Sequence, residues 1–248
     1  MLGLPDEVRA CLFDLDGVLT RTATVHAAAW KETFDGFLRA RAERTGEVFE
    51  EFTPKDYDRF VDGRPRLDGT RAFIESRGIH LPLGDADDEP GTETLHGLSN
   101  GKNELVLRKI GAGAVEVYEG SVRYVEAVRA AGLKTAVVSS SANTPAVLEA
   151  AGIAHLFDAR VDGNVAKERG LAGKPAPDTF LAGGEMVGVG PDAATVFEDA
   201  LAGVEAGRAG RFRLVVGVDR VGQADALRQH GADIVVEDLS ELLEADGT

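Results

Sequence analysis

One stretch of this chain indicates how it folds: Cys11-Leu12-Phe13-Asp14-Leu15-Asp16-Gly17-Val18-Leu19-Thr20. The apolar residues 10–13 predict a short buried strand, and Gly17 predicts a sharp turn just after it. Asp14 and Asp16 would therefore lie where a parallel strand ends, which is the usual place for ligands in an open α/β sheet.

The two carboxylates at this place are unusual, because side chains two apart on an extended segment share a face and bare carboxylates repel. A divalent cation would neutralise Asp14 and Asp16. Alternatively, one would act as a nucleophile while the other holds a proton. The remaining interpretation is a polar loop with two solvated aspartates.

The composition is that of a globular protein of one or two domains. The 248 residues are 44% hydrophobic and include only 9 prolines, which allows a substantial core and argues against disorder. The single cysteine, Cys11, lies in the first predicted strand, where a small core residue is expected rather than a thiol catalyst. Residues 1–7 do not resemble a signal peptide, and no apolar run approaches the roughly 18 residues of a membrane span. We therefore expect a cytoplasmic protein.

The formal net charge of -15 limits the possible partners. Binding to nucleic acid or to an anionic membrane requires a positive surface, so neither partner is expected. A phosphorylated substrate would also be repelled unless a cation or a few well-placed lysines and arginines reverse the local field.

Strands and helices alternate in the second half of the chain. Strands are predicted at 134–138, 194–197, 213–218 and 233–236, and helices at 144–151, 200–208 and 222–230. This alternation predicts βαβ units and an α/β fold with a Rossmann-like, doubly wound, mostly parallel sheet.

Residues 22–112 have helical spacing of apolar residues and no strong strand pattern. We therefore predict a core domain formed by 1–21 and 113–248, with a helical cap domain, 22–112, inserted after the first strand. The acidic segment 84–91 within it is punctuated by Pro and Gly and is predicted to be a solvated surface loop.

Three further polar segments are predicted to follow strands, as the first one does. The hydroxyls of Ser139-Ser140-Ser141 precede a helix that begins near Asn143, where an anion could bind, although they could simply cap that helix. Lys174 precedes a proline-started helix and could contact a phosphate, or it could be an ordinary exposed lysine. Glu198 and Asp199 end a strand, or merely begin the next helix.

These segments, in this order, resemble the motifs of the haloacid dehalogenase-like superfamily of phosphotransferases. Asp14-Leu15-Asp16-Gly17-Val18 is similar to the first motif, Ser139 to the second, Lys174 to the third and Glu198-Asp199 to the fourth. The similarity extends over almost the whole chain.

The resemblance implies a role for each of these residues. Asp14 would be the nucleophile that becomes an aspartyl phosphate, and Asp16 the general acid and base. Ser139 and Lys174 would hold the transferring phosphoryl group. Mg²⁺ would be bound by Asp14, by the main-chain carbonyl of Asp16 and by Asp199, with Glu198 nearby.

The inserted helical segment resembles the cap of the beta-phosphoglucomutase-like subfamily. The resemblance implies that substrate is contacted from the cap and from the loop after Ser139, by Thr22, His26, Trp30, Arg66, Lys102, Asn103, Ser140, Ser141 and Asn143. His26 would position Asp16 when the cap closes, although His26 and Trp30 could simply pack together, Arg66 could be a surface arginine and Lys102 could solvate its helix. Two positions depart from the subfamily: Arg21 stands where an aspartate is common, and Ala142 where a basic residue is common.

The function implied is that of a Mg²⁺-dependent sugar-phosphate mutase converting beta-glucose 1-phosphate to glucose 6-phosphate. The alternative is a phosphatase that uses the same residues on a sugar phosphate or another small phosphomonoester. Asp16 and Gly17 disfavour a haloalkanoate dehalogenase, and the pair Asp14 and Asp16 disfavours a non-catalytic binding domain. We expect a small phosphorylated substrate as partner and a monomer or weak dimer.

Overall fold

Because residues 10–13 are all apolar, they form a strand that is fully buried within a parallel sheet. The computed structural model describes residues 2–111 and 115–244. Its six strands are all parallel, in the order β3-β2-β1-β4-β5-β6. They are β1 (Ala10–Phe13), β2 (Lys134–Val138), β3 (Ala159–Val161), β4 (Ala194–Glu198), β5 (Leu214–Val218) and β6 (Ile234–Val236). This order places the switch point of a doubly wound sheet between β1 and β4.

Helices account for most of the remaining regular structure. They are α1 (Ala23–Thr45), α2 (Pro54–Asp56), α3 (Arg66–Ser76), α4 (Leu95–Gly111), α5 (Glu119–Ala130), α6 (Thr144–Ala150), α7 (Gly163–Arg169), α8 (Asp178–Met186), α9 (Leu201–Ala209), α10 (Ala224–His230) and α11 (Glu241–Glu244). A π-helical turn, Tyr57–Val61, follows α2, and 3₁₀ turns occur at Ala154–Leu156 and Pro191–Ala193. No helix in these two described ranges combines the length and apolarity needed to span a bilayer.

The chain divides into two units, which we call the core unit (Met1–Arg21 with Val115–Thr248) and the insert (Thr22–Ala114). The predicted second domain boundary, between residues 112 and 113, lies outside the described residues. The insert has its own aromatic centre, in which Phe34 stacks on Trp30 at 4.9 Å between ring centroids and lies 4.2 Å from Phe73. Its segment 84–91 is an exposed loop, as predicted.

The predicted fold class is confirmed, and β1 and β2 have the predicted bounds. β4 extends one residue further than predicted, to Glu198. The other predicted core-unit strands and helices are present with bounds shifted by one or two residues. In the core unit, β3, α5, α7 and α11 are absent from the predicted elements.

Candidate functional site

The carboxyl ends of β2, β1 and β4 lie side by side, because these strands are adjacent and parallel. Asp14 follows β1, Ser139 follows β2, and Glu198 is the last residue of β4. The sheet hydrogen bonding continues one residue beyond β1, where the N–H of Asp14 donates to the carbonyl of Phe197 at 2.9 Å. The main chain therefore fixes these side chains at one edge of the sheet.

Lys174 joins the strand ends. Its Nζ donates to Oδ1 of Asp14 at 2.5 Å, to Oε1 of Glu198 at 2.6 Å and to the carbonyl of Val138 at 3.2 Å. The ammonium also lies 4.7 Å from the ring centroid of Phe180. Because Lys174 is only 2% exposed, the interpretation as an ordinary exposed lysine is wrong.

The prediction that the Lys174 segment follows a strand is also wrong. Lys174 lies in the loop between α7 and α8, beyond the end of β3. It reaches the edge of the sheet because its long side chain spans the distance from this loop to the strand ends. The ammonium of Lys174 nevertheless contacts Asp14. The role that the resemblance implies for Lys174, which is to hold the transferring phosphoryl group, therefore does not depend on where its backbone lies.

The charges in this cluster do not balance. Burial raises the pKa of Asp14, the charge of Lys174 opposes this, and the neighbouring carboxylates of Glu198 and Asp16 raise the pKa further. Burial alone would lower the pKa of Lys174, but the charges of Asp14 and Glu198 outweigh it and hold that pKa above its usual value. One charged lysine is thus shared by two buried carboxyl groups.

A third carboxylate completes an oxygen-rich cluster. One oxygen each from Asp14, Glu198 and Asp199 lies within 4.8 Å of the others. Three carboxyl groups around one lysine carry excess negative charge when all are ionised, which is the state that a bound cation favours, and hard oxygen donors are the ligands that Mg²⁺ prefers. The residues present therefore fit the predicted cation, and the interpretation that Glu198 and Asp199 merely begin a helix is wrong, because α9 begins only at Leu201.

Two glycines make room for these acids. A Cβ on Gly17 would lie 1.8 Å from Oδ2 of Asp199, and a Cβ on Gly203 would lie 1.7 Å from Oε1 of Glu198. Glu198 cannot easily move aside, because its Oε2 also accepts the N–H of Ala200 at 2.8 Å. The backbone thus approaches both carboxylates as closely as only glycine allows.

The serine segment forms a tight turn after β2. Ser139 is buried, and its Oγ accepts the N–H of Ser141 at 3.1 Å, while Oγ of Ser141 accepts the N–H of Asn143 at 3.2 Å. The N-cap position of α6 is Asn143, so the interpretation of the three serines as a helix cap is wrong. The turn, with Ser140 half-buried, follows β2 beside Asp14.

Within the insert, Lys102 on α4 contacts two predicted site residues on α1. Its Nζ lies 2.8 Å from Nδ1 of His26 and 4.8 Å from the ring centroid of Trp30. Lys102 is buried, so it does not simply solvate its helix. An ammonium has no lone pair to accept a hydrogen bond, so in this contact Nζ of Lys102 donates and Nδ1 of His26 accepts.

The remaining predicted insert residues are Thr22, Asn103 and Arg66. Thr22 is buried and Asn103 is half-buried. Arg66 begins α3, and burial lowers the pKa of its guanidinium. Among residues 2–111 and 115–244, no carboxylate forms an ion pair with Arg66, so its guanidinium is a partly desolvated cation.

Two residues that no sequence pattern singled out hold the main chain of the site. Nε of Arg220 donates to the carbonyl of Gly17 at 2.8 Å, and Nε2 of Gln223 donates to the carbonyl of Asp199 at 3.0 Å. Both bonds end on carbonyls, which every residue carries. For this reason, no motif in a single sequence could have revealed them.

Comparison with known proteins identifies the family. A family model described as haloacid dehalogenase-like hydrolase matches residues 8–211. This chain belongs to that family. The predicted resemblance and the prediction of an enzyme are therefore confirmed.

Similar proteins include several beta-phosphoglucomutases. The chain is 56% identical to beta-phosphoglucomutase of Mycobacterium bovis over 98% of this chain and 94% of that protein. It is 28% identical to beta-phosphoglucomutase of Bacillus subtilis, over 95% and 92% of the two chains. A crystal structure of beta-phosphoglucomutase from Clostridium difficile matches with a TM-score of 0.74 and 25% identity, covering 95% of this chain and 93% of that one.

Proposed function

We propose that this protein is a Mg²⁺-dependent phosphotransferase that forms a phosphate ester on Asp14, and that it converts beta-glucose 1-phosphate to glucose 6-phosphate. The observation that carries the proposal is the buried carboxylate of Asp14, bound by Lys174 and adjacent to the carboxylates of Glu198 and Asp199. The 56% identity to a beta-phosphoglucomutase over nearly the full length supports the choice of a mutase.

The proposed chemistry gives each of these residues the role that the family resemblance implies. A carboxylate oxygen of Asp14 attacks phosphorus, while Lys174 and Ser139 bind oxygens of the transferring phosphoryl group. Asp16 protonates the departing oxygen and later removes the proton from the attacking hydroxyl. Mg²⁺, held by Asp14, the carbonyl of Asp16 and Asp199 with Glu198 nearby, would neutralise charge on the phosphoryl oxygens.

A mutase must transfer the phosphoryl group twice. Phosphorylated Asp14 would give its phosphoryl group to the free hydroxyl of the sugar phosphate, forming a bisphosphate. Asp14 would then take the other phosphoryl group and release glucose 6-phosphate. Water has to be excluded throughout, since it would hydrolyse the aspartyl phosphate.

Recognition of the sugar phosphate is assigned to the insert and the serine turn. The desolvated guanidinium of Arg66 and the buried ammonium of Lys102 are cations that an anionic substrate would neutralise. The proposed contacts are Thr22, His26, Trp30, Arg66, Lys102, Asn103, Ser140, Ser141 and Asn143. The cytoplasmic location and the monomer or weak-dimer state stay predictions.

A phosphatase acting on a sugar phosphate is the second candidate. It would use the same residues, with water instead of a sugar hydroxyl attacking the phosphoryl group. The description of the matching family as hydrolases favours it, as does Ala142, which offers no charged group to a second phosphate.

The test is to incubate the protein with Mg²⁺, beta-glucose 1-phosphate and a trace of the 1,6-bisphosphate, and to measure glucose 6-phosphate and inorganic phosphate together. Glucose 6-phosphate without matching phosphate release supports the mutase, whereas phosphate release alone supports the phosphatase. Asp14→Asn should lower either activity by about 10⁴-fold or more, because it removes the nucleophile. Asp225→Asn, at an exposed acid on α10, is the control and should retain full activity. Full turnover by Asp14→Asn would exclude the aspartyl-phosphate mechanism.

A further inference from the structure

Arg220 lies in the loop after β5 and extends into the core unit behind the candidate site. Its side chain is only 14% exposed. Nε donates to the carbonyl of Gly17 at 2.8 Å, and one terminal nitrogen donates to the carbonyl of Glu237 at 2.6 Å. The other terminal nitrogen lies 3.4 Å from the carbonyl of Val18 and 3.3 Å from Oγ of Ser121.

The carbonyls of Gly17 and Val18 belong to the turn that follows Asp16. In this turn the N–H of Gly17 donates to the carbonyl of Thr20 at 2.8 Å, and the N–H of Thr20 donates to the carbonyl of Leu15 at 3.0 Å. None of these main-chain bonds ends on the carbonyl of Gly17 or of Val18. Arg220 binds both carbonyls, and therefore fixes how the peptide planes after Asp16 are oriented.

The same guanidinium stacks on an aromatic ring. Its Cζ lies 3.5 Å from the ring centroid of Tyr118, and Cζ of Arg21 lies 4.5 Å from the same centroid. The N–H of Tyr118 donates to the carbonyl of Leu19 at 2.9 Å, so the ring is attached to the far end of the turn. The turn is thus held at one end by the side chain of Arg220 and at the other by the main chain of Tyr118, whose ring stacks on that guanidinium.

These contacts require an arginine. A guanidinium is flat, presents several N–H donors in a fixed fork and stacks on an aromatic face, whereas a lysine ammonium is a compact charge without this geometry. A lysine at position 220 would keep the charge near Asp238, whose Oδ2 lies 3.6 Å from Arg220, but could not bind several carbonyls and cover Tyr118 together.

We propose that Arg220 is a positioning residue for phosphoryl transfer. It holds the turn Gly17–Val18 so that Asp16 stays where it can exchange protons with the substrate and so that Gly17 keeps its close approach to Asp199. Arg220 itself does not touch the reacting atoms. The proposal rests on the proposed function, because it needs Asp16 to act as the general acid and base.

The first experiment separates positioning from substrate binding. Arg220→Ala and Arg220→Lys should lower kcat by about 10–100-fold, the loss expected from a misplacement of about 1 Å, while KM stays nearly constant. Added guanidinium ion should restore part of the kcat of Arg220→Ala but not that of Arg220→Lys, in which the lysine side chain fills the space. The control is Arg228→Ala, which removes an exposed arginine of α10 and should leave kcat unchanged.

The second experiment does not depend on turnover. Amide hydrogen exchange of Leu19 and Thr20 is measured in the Mg²⁺-free protein, with Leu12 of β1 as an internal reference. Exchange in the turn should be at least tenfold faster in Arg220→Ala than in the wild type, with Leu12 unchanged. Unchanged exchange in the turn would overturn the proposal, whether or not kcat falls. A second outcome separates the two proposals: exchange in the turn is faster in Arg220→Ala, but the wild type shows no phosphoryl transfer. This result would overturn the proposed function, and with it the catalytic role of Arg220.

Discussion

Gly17 has a φ of +89°, and an added Cβ would lie 1.8 Å from Oδ2 of Asp199. Two separate effects therefore oppose a side chain at this position: the left-handed backbone and the overlap with a proposed Mg²⁺ ligand. Gly132 has a similar φ of +80° but nothing within 4 Å of its added Cβ. A comparison of the two positions separates the backbone effect from the overlap.

We expect Gly17→Ala and Gly132→Ala each to lose about 1–3 kcal/mol of stability through backbone strain. Only Gly17→Ala should also weaken Mg²⁺ binding, by about 10–100-fold, as expected when the support of a metal ligand is disturbed. Calorimetric titration with Mg²⁺ measures this without substrate. Equal Mg²⁺ affinity in the two variants would mean that Asp199 does not hold the metal.

The residues of the site differ in how visible they are in the sequence. The cluster of Asp14, Glu198 and Asp199 could be predicted, because acids after apolar strands of a parallel sheet must meet at one edge. The sequence pattern predicts Lys174 near this cluster but wrongly places its backbone at the end of a strand. A lysine side chain is long, so its ammonium can reach the same place from several backbone positions. Arg220 was not predictable, because its partners are main-chain carbonyls.

At the scale of elements, α8 packs closely on β2. A Cβ on Gly183 of α8 would lie 2.8 Å from Cγ2 of Val138, the last residue of β2. The carbonyl of Val138 accepts a hydrogen bond from Lys174 at 3.2 Å. A displacement of Val138 would therefore be transmitted to the ammonium that binds Asp14.

Gly183→Ala should lower the free energy of unfolding by about 1–3 kcal/mol, the usual effect of overpacking a core. It should also lower kcat, because Lys174 shifts with β2. Gly36→Ala on α1 is the matched control: nothing lies within 4 Å of its Cβ, and alanine should stabilise the helix by about 0.5–1 kcal/mol. Urea unfolding measures both changes. If Gly183→Ala proved as stable as Gly36→Ala, the close packing of α8 on β2 would be disproved.

The predicted elements differ from the missed ones in length and in the pattern of apolar residues in their sequence. β1 and β2 were predicted with correct bounds because each is a continuous apolar run that ends at a polar residue. β3 has only three residues with Arg160 at its centre, which is too short to show a pattern. α5 does carry a signal, since its buried residues Ser121, Tyr124, Val125 and Val128 recur at helical spacing.

At the scale of the whole molecule, each unit has its own apolar core. In the core unit, Leu12, Val138 and Val196 belong to one buried cluster with residues of the surrounding helices. In the insert, a second cluster is formed around Trp30, Phe34, Phe52 and Phe73. Units with separate cores can unfold separately. The only tryptophan, Trp30, is in the insert, so its fluorescence reports on that unit alone.

Phe73→Ala should therefore unfold the insert before the core unit. Phe73 is fully buried among aromatic rings, and its truncation should cost the insert about 3–5 kcal/mol. In urea, the fluorescence of Trp30 should change at a lower concentration than the far-UV circular dichroism, which reports on both units. Leu107→Ala, at a position that is 45% exposed on α4, is the control and should leave the two transitions in their wild-type relation.

The same variant tests what the insert contributes to the reaction. If the insert excludes water from phosphorylated Asp14, an insert that unfolds part of the time lets water compete with the sugar hydroxyl. Phe73→Ala should then release more inorganic phosphate per glucose 6-phosphate formed than Leu107→Ala does.

Two outcomes would contradict these predictions. If the fluorescence and circular-dichroism transitions of Phe73→Ala coincide, the two units do not unfold separately. An unchanged product ratio together with separated transitions would contradict the hypothesis that the insert excludes water.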